Sequence, residues 1–294
     1  MKHHLTTSVK VCLYTLIICM TVFSCTKNTS NYISYYNRVN EIDSIYRMAN
    51  NPQLAVQEYS HLFDECTPKN QDRIKEYTTY IKLADHYHID FGGKKSLSTI
   101  ISLLAPYGNV YKKYLPLFKK YGMDSTEVKE QIADWKKQLN KRLIDSFSIA
   151  MVRDQEKRHI DLEVQAKNVK KNADLLIWTF KNYGFPSVDK IGTIGNNDVF
   201  FAMPTFLTHM IESDHYPYFK DKLLEYVKSG DCAPRDYAFM VDMYNYSHGK
   251  ETYYTYEPDG IRDSAQIDRN RKSIGLPSLK HSAKIRKDYF NSFK

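Results

Sequence analysis

The chain has 294 residues, with 42 Lys and Arg against 34 Asp and Glu, and hydrophobic residues make up 42% of it. This composition excludes collagen-like, low-complexity and largely disordered proteins. A mean hydropathy of -0.55 excludes a polytopic membrane protein. The length suffices for one large domain or two small ones with a real core, but none of these properties identifies a reaction.

The first 25 residues have the organisation of a bacterial secretion signal. Lys2 and Lys10 give a basic start, and residues 11–23 form an apolar run that is too short, at about 20 Å as a helix, to cross a bilayer. The run ends in Val-Phe-Ser24-Cys25, which resembles the lipobox of bacterial lipoproteins. We therefore predict a lipoprotein signal peptide over residues 1–24, with acyl chains on Cys25 as the contact with a membrane. A plain secretory signal with a chance cysteine, and a membrane anchor without lipid, remain alternatives.

Residues 25–32 are predicted to be the lipidated cysteine and a polar tether. The tether lacks an acidic cluster, and in the Bacteroides-type lipoproteins that this chain resembles, such a cluster marks export to the cell surface. The resemblance therefore implies the bacterial outer membrane, on its periplasmic face. Removal of residues 1–24 takes away two Lys and no acid, so the mature chain has 40 basic and 34 acidic residues, a charge of +6. This modest surplus, without a dense basic block, argues against nucleic acid as a partner.

Hydrophobic periodicity is helical nearly everywhere after the tether, so we predict a mainly α fold. Residues 33–140 have short amphipathic stretches separated by Gly and Pro, which is typical of α-hairpins and loosely resembles a tetratricopeptide array. From Ser125, apolar residues recur at helical steps through Phe147, which predicts a long linking helix that reaches residues 153–172, either continuous or with a break. We place a domain boundary near residue 140. The second domain, 141–294, is predicted to be helical with at most a short extended segment at 251–258.

The second domain contains a set of short motifs in a fixed order. They are Asp154-Gln155-x-x-Arg158, Gly184-Phe185-Pro186, His209 and Gly275-Leu276-Pro277. In this order and spacing they resemble an uncharacterised bacterial family, a domain of unknown function, over about half of the chain. The family brings no assigned activity. This chain departs from it at Tyr254-Thr255-Tyr256-Glu257, where the family tends to have Tyr-Gly-Thr-Gln.

Four of these residues form the candidate polar site. Asp154 and Arg158 are four apart, so on one helix they would pair, and Gln155 adds a donor and an acceptor beside them. Arg158 would clamp an anion and Asp154 would act as a base or orient one; the alternative is a simple ion pair that orders the helix. His209 lies in an apolar helix, where it is either a general base or a satisfied core residue.

Tyrosines supply the candidate ligand-lining residues. Tyr244, Tyr253, Tyr254 and Tyr256 fall close together in the sequence, and clustered tyrosines suit peptide or carbohydrate surfaces; the alternative is an aromatic core. No metal site is expected, because the spacing of His209, Glu212 and His215 is not that of a zinc helix. No cofactor is expected either. Cys66 and Cys232 are compatible with a disulfide without establishing one.

These observations support two hypotheses from different classes. The first is a lipid-anchored binding or scaffolding protein, whose partner is an envelope protein or a glycan. The second is a cofactor-independent hydrolase of peptide or glycan material, with Asp154, Arg158 and His209 at its site. A lipid-anchored spacer without a ligand is a third reading.

Overall fold

The computed structural model describes residues 31–71, 73–255 and 263–292. The predicted signal peptide, Cys25 and Tyr256 lie outside these residues. The α-helices, numbered in chain order, are α1 Tyr32–Arg47, α2 Pro52–Glu65, α3 Glu76–His86, α4 Gly93–Leu104, α5 Leu115–Lys120, α6 Ser125–Lys137, α7 Lys141–Gln155, α8 Leu162–Asn182, α9 Val188–Ile191, α10 Met203–His209, α11 Tyr216–Ser229, α12 Pro234–Ser247, α13 Ser264–Ser273 and α14 Leu279–Asn291. Three 3-10 helices join them, at Ala105–Tyr114, Asn196–Asp198 and Met210–Glu212.

The mainly α prediction is confirmed. Consecutive helices pack as hairpins, with α1 on α2, α2 on α3, and α7 on α8. The described residues contain no named strand, and their one isolated bridge pairs Ile194 with Phe200. The extended segment expected at 251–258 is therefore not a strand over its described part, 251–255.

The predicted linking helix is not continuous, because the chain forms α6, α7 and α8 over this stretch. The break after α6 is fixed by Asn140, whose side chain accepts a hydrogen bond from the Leu143 amide and caps α7. The next break contains Lys157 and His159 at φ values of 49° and 63°, and Asp161 then caps α8 through the Val164 amide. Left-handed residues cannot continue an α-helix, and the two caps satisfy amides that a new helix leaves unpaired.

The core is continuous from α1 to α14. The described residues from Asn31 onward form one compact unit, and α1 packs on both α11 and α14, which brings the two ends of the described chain together. Inside this contact the fully buried Asp43 accepts from Arg47 and lies 2.8 Å from His281 Nε2. The division into domains at residue 140 stays a prediction.

The segment before α13 is held by a second buried carboxylate. Asp242 accepts hydrogen bonds from the amides of Tyr253 and Tyr254, while Arg271 donates to the carbonyls of Tyr254 and Pro277. The turn after α13 passes close to α1 at Gly275, which has φ 88° and lies where a Cβ would be 2.6 Å from Tyr36 Cβ. Only glycine fits this crossing.

Glu76 is a fully buried carboxyl at the start of α3. It accepts from the Tyr35 hydroxyl at 2.8 Å and from the Gln71 amide at 2.7 Å, which wraps the loop before α3 around it. Burial raises its pKa from 4.5 to about 7, although the hydrogen bonds that it accepts act in the opposite direction. The folded protein therefore holds a proton on Glu76 at pH values where the unfolded chain has released it.

The free energy of unfolding should consequently fall as the pH rises from about 4.5 to 7. A pKa difference of this size corresponds to about 3 kcal/mol. We expect Glu76→Gln to remove this contribution to the pH slope in urea titrations at pH 5 and pH 8, whatever its effect on absolute stability. The exposed Glu130→Gln is the control and should keep the slope. An unchanged slope in Glu76→Gln would contradict the assignment.

Candidate functional site

The candidate site lies where the end of α7 meets the end of α10. Asp154, near the C-terminus of α7, is buried, with 4% of its surface exposed. His209 is the last residue of α10, and its Nδ1 lies 2.6 Å from Asp154 Oδ2. Residues 55 positions apart in the sequence are thus joined by one short hydrogen bond.

Asp154 has further partners on both sides. Gln155 donates to Oδ2 at 2.7 Å, and Asn172 of α8 donates to Oδ1 at 3.4 Å. Arg158 Nη1 is 3.9 Å from Oδ1. A carboxylate removed from water needs such partners to remain ionised, and here they come from three different segments. The four predicted polar residues, Asp154, Gln155, Arg158 and His209, therefore lie in one cluster.

The four-residue spacing predicted that Arg158 and Asp154 share a helix, but they do not. α7 ends at Gln155, and Arg158 lies in the turn before α8, where its main ion pair is with Glu212 at 2.5 Å. Gln165 donates to the other oxygen of Glu212 at 2.9 Å. Although the Arg158 side chain is only 8% exposed, its Nε has no hydrogen-bond partner among the described residues. A buried guanidinium N–H without an acceptor is costly, so Arg158 Nε is an unsatisfied donor inside the cluster.

His209 is not sealed in the core, since 17% of its side chain is exposed. In the described chain its hydrogen bond is made through Nδ1, to Asp154. A neutral imidazole that donates from Nδ1 to a carboxylate leaves the lone pair of Nε2 free to accept a proton. Chemically, the pair resembles the oriented base of a general-base catalyst, although the described residues place no serine or cysteine hydroxyl or thiol against Nε2.

A row of amides on α8 supports the cluster and was not among the predicted site residues. Gln165, Asn168 and Asn172 recur at three- and four-residue steps, so they share one helix face. Asn172 is fully buried and accepts from Arg153 Nε at 2.8 Å, and Asn168 donates to the Arg153 carbonyl at 3.0 Å. Three carboxamides at helical spacing are the sequence signal that would have predicted these supporting amides.

The candidate tyrosines form a separate group. Tyr244 stacks on Tyr216, with ring centroids 3.6 Å apart, and on His248 at 4.0 Å. Tyr254 is buried against Tyr237, and its amide and that of Tyr253 are held by Asp242. The contacts found for these tyrosines in the described chain serve packing around α12, not the Asp154 cluster.

Large apolar side chains are exposed on α7, at the turn after it and on the loop before α10. We call this set the apolar surface: Ile149, Val152, Ile160, Leu162, Ile194 and Phe200. Ile160 and Leu162 stand in the turn beside Arg158 and at the first residue of α8, and they are 83% and 76% exposed. An exposed apolar group of this kind normally marks a contact with another molecule.

The loop that carries Ile194 and Phe200 is fixed to α7. The Asn196 amide donates to Ser148 Oγ, and its side chain donates to Asp145, both at 2.8 Å. A Cβ at Gly195 would collide with Ser148 Oγ and with the Phe201 ring. The bare glycine backbone therefore allows this loop to lie directly on α7.

The described residues contain no group of three His, Cys, Asp or Glu side chains that could hold a metal ion. Cys66 and Cys232 are both free thiols. None of the helices in the described ranges combines the length and apolarity that a membrane crossing needs.

No family model matches the chain. Neither the curated proteins nor the solved structures contain a significant match to it. The resemblance to an uncharacterised bacterial family therefore stays an expectation drawn from the motifs, and the function has to be argued from the geometry.

Proposed function

We propose that this chain is a lipid-anchored protein of the bacterial envelope that binds a partner protein through the apolar surface, with the Asp154 cluster as its polar centre. The observation that carries the proposal is the distribution of exposed apolar residues. Of the twelve exposed large hydrophobic residues in the described chain, six belong to this surface. They occur in two short segments, 149–162 and 194–200, and the rest are scattered.

A protein partner fits this surface better than a glycan. Its exposed residues are mainly aliphatic, whereas sugar-binding surfaces present aromatic faces and dense hydrogen-bonding groups. The complementary partner would present an apolar strip that covers Ile160 and Leu162.

The lipid anchor is the second part of the proposal, and its support is the sequence around Cys25. Two or more acyl chains on one residue hold a protein stably on a bilayer. Together with the tether that lacks acidic residues, this favours the periplasmic face of the outer membrane as the location.

A hydrolase remains the second candidate, because one specific observation favours it. His209 Nε2 is free of protein hydrogen bonds in the described chain and its ring is partly exposed, so it is placed to activate a water molecule without a cofactor. We expect, on this reading, that purified protein cleaves peptide or glycan fragments of the cell wall. His209→Gln should lower the rate about a hundredfold or more, while the exposed His215→Ala should not. Turnover that survives in His209→Gln would rule the hydrolase out.

The binding proposal predicts the effect of making the turn before α8 polar. Ile160→Ser with Leu162→Ser should weaken capture of the partner about a hundredfold, because burying two aliphatic side chains contributes about 3 kcal/mol. A photo-cross-linker placed at position 160 in living cells identifies the partner, and the variants are then tested against that purified partner.

The matched control is Met48→Ser with Leu54→Ser, which changes two exposed apolar residues outside the apolar surface. Both double variants should unfold at the same denaturant concentration as the unaltered protein, because exposed substitutions cost little stability. Equal partner affinity in the two double variants would contradict the binding proposal.

The anchor predicts that Cys25→Ala abolishes labelling by radioactive palmitate and releases the protein from the outer-membrane fraction. Cys66→Ala, which removes a half-buried thiol of the folded part, should keep both the label and the location. Retention of the label in Cys25→Ala would refute the lipid anchor while leaving the binding surface untested by that result.

A further inference from the structure

A groove of about 380 Å³ lies between α6 and the 3-10 helix Ala105–Tyr114, separate from the Asp154 cluster. Its volume falls in the range of small-molecule sites. Tyr111 and Ile132, both largely buried, supply apolar side chains to its wall. Asn109 adds a carboxamide, and Ala133 contributes only a methyl group, so the helix surface stays open at this point.

Two lysines give the groove its charge. Lys129 and Lys136 both line it and are seven residues apart, which places them on the same face of α6, about 10.5 Å apart along the helix axis. A lysine side chain reaches far enough for both ammonium groups to meet over Ala133. Neither lysine forms an ion pair with a described residue, whereas the neighbouring Lys137 is paired with Asp134 at 2.8 Å. No carboxylate lines the groove.

The charge and size of the groove define the ligand. Two ammonium groups without a counterion match the charge of a phosphate monoester, about -1.5 to -2 at pH 7. The exposed edges of Tyr111 and Ile132 make one wall of the groove apolar, which suits an apolar ring on the same molecule. A volume of 380 Å³ holds about a dozen non-hydrogen atoms at roughly the 30 Å³ share of a water molecule.

We propose that this groove binds a small organic phosphate monoester, with its ring against Tyr111 and Ile132 and its phosphate between Lys129 and Lys136. The lysines act as point charges that converge on the phosphate oxygens. Asn109 is placed to donate to a polar substituent of the ring. This site is independent of the partner surface, so either assignment stands if the other fails.

The probe is phenyl phosphate, added to the purified full-length protein and followed by NMR titration. We expect a Kd of about 1 mM or below, in keeping with a ligand of this size. Phenol and inorganic phosphate, which each carry half of the recognised chemistry, should bind about tenfold more weakly or worse. Failure of phenyl phosphate to bind below 10 mM, or equal binding of inorganic phosphate, would overturn the proposal.

Two variants test the geometry. Lys129→Gln with Lys136→Gln should weaken phenyl phosphate about tenfold or more, and Ala133→Leu should do the same by filling the groove while it keeps both charges. The control, Lys280→Gln with Lys287→Gln, removes two exposed lysines at the same seven-residue spacing on α14. An equal loss of affinity in this control would show general charge attraction and overturn the site.

A final arm separates a free ester from a lipid headgroup. Vesicles that contain phosphatidic acid present the same phosphate chemistry on a bilayer. Binding of these vesicles through Lys129 and Lys136, without binding of phenyl phosphate, would contradict a small-ester site. Binding of phenyl phosphate that these vesicles do not displace supports it.

Discussion

The candidate site depends on the need of one buried carboxylate, Asp154, for partners. A carboxyl group with 4% exposure is stable only if its polar atoms are hydrogen-bonded. This requirement draws together the end of α7, the amide face of α8 and His209 at the end of α10. It also fixes the turn in which Arg158 and Ile160 stand, so the polar cluster and the neighbouring apolar side chains have one structural origin.

Other buried carboxylates in this chain hold the fold together without leaving an open group. Asp43 joins α1 to α14 through Arg47 and His281, Asp242 holds the amides before α13, and Glu76 fastens the loop before α3. His281, the partner of Asp43, is buried, while His209 is partly exposed. The same chemical pair is thus buried between α1 and α14 but partly exposed between α7 and α10. This contrast is the physical reason to read the Asp154 cluster as functional.

Sequence reasoning reached the helical fold because the 3.6-residue pattern of apolar positions is local information. It did not place the breaks at Asn140 and Asp161, since caps and left-handed residues end the helices although the apolar pattern continues. The meeting of Asp154 with His209 was anticipated only from motifs shared with a family. Glu212 and Asn172 were not assigned to the cluster, because their positions follow from how α8 and the 210–212 turn pack. The ligand-lining role of the tyrosines stays a prediction, and nothing in their spacing shows that Asp242 binds the backbone at Tyr253 and Tyr254.

The central claim is that Asp154 holds the His209 ring with Nε2 open toward solvent. The most direct measurement is the tautomeric state of His209, read from the ¹⁵N shifts and long-range couplings of the labelled imidazole at pH 8. The account predicts that the proton sits on Nδ1 and that Nε2 is bare, and that Asp154→Ala moves the proton to Nε2. A proton on Nε2 in the unaltered protein would contradict the account, because His209 would then have no free nitrogen with which to accept a proton.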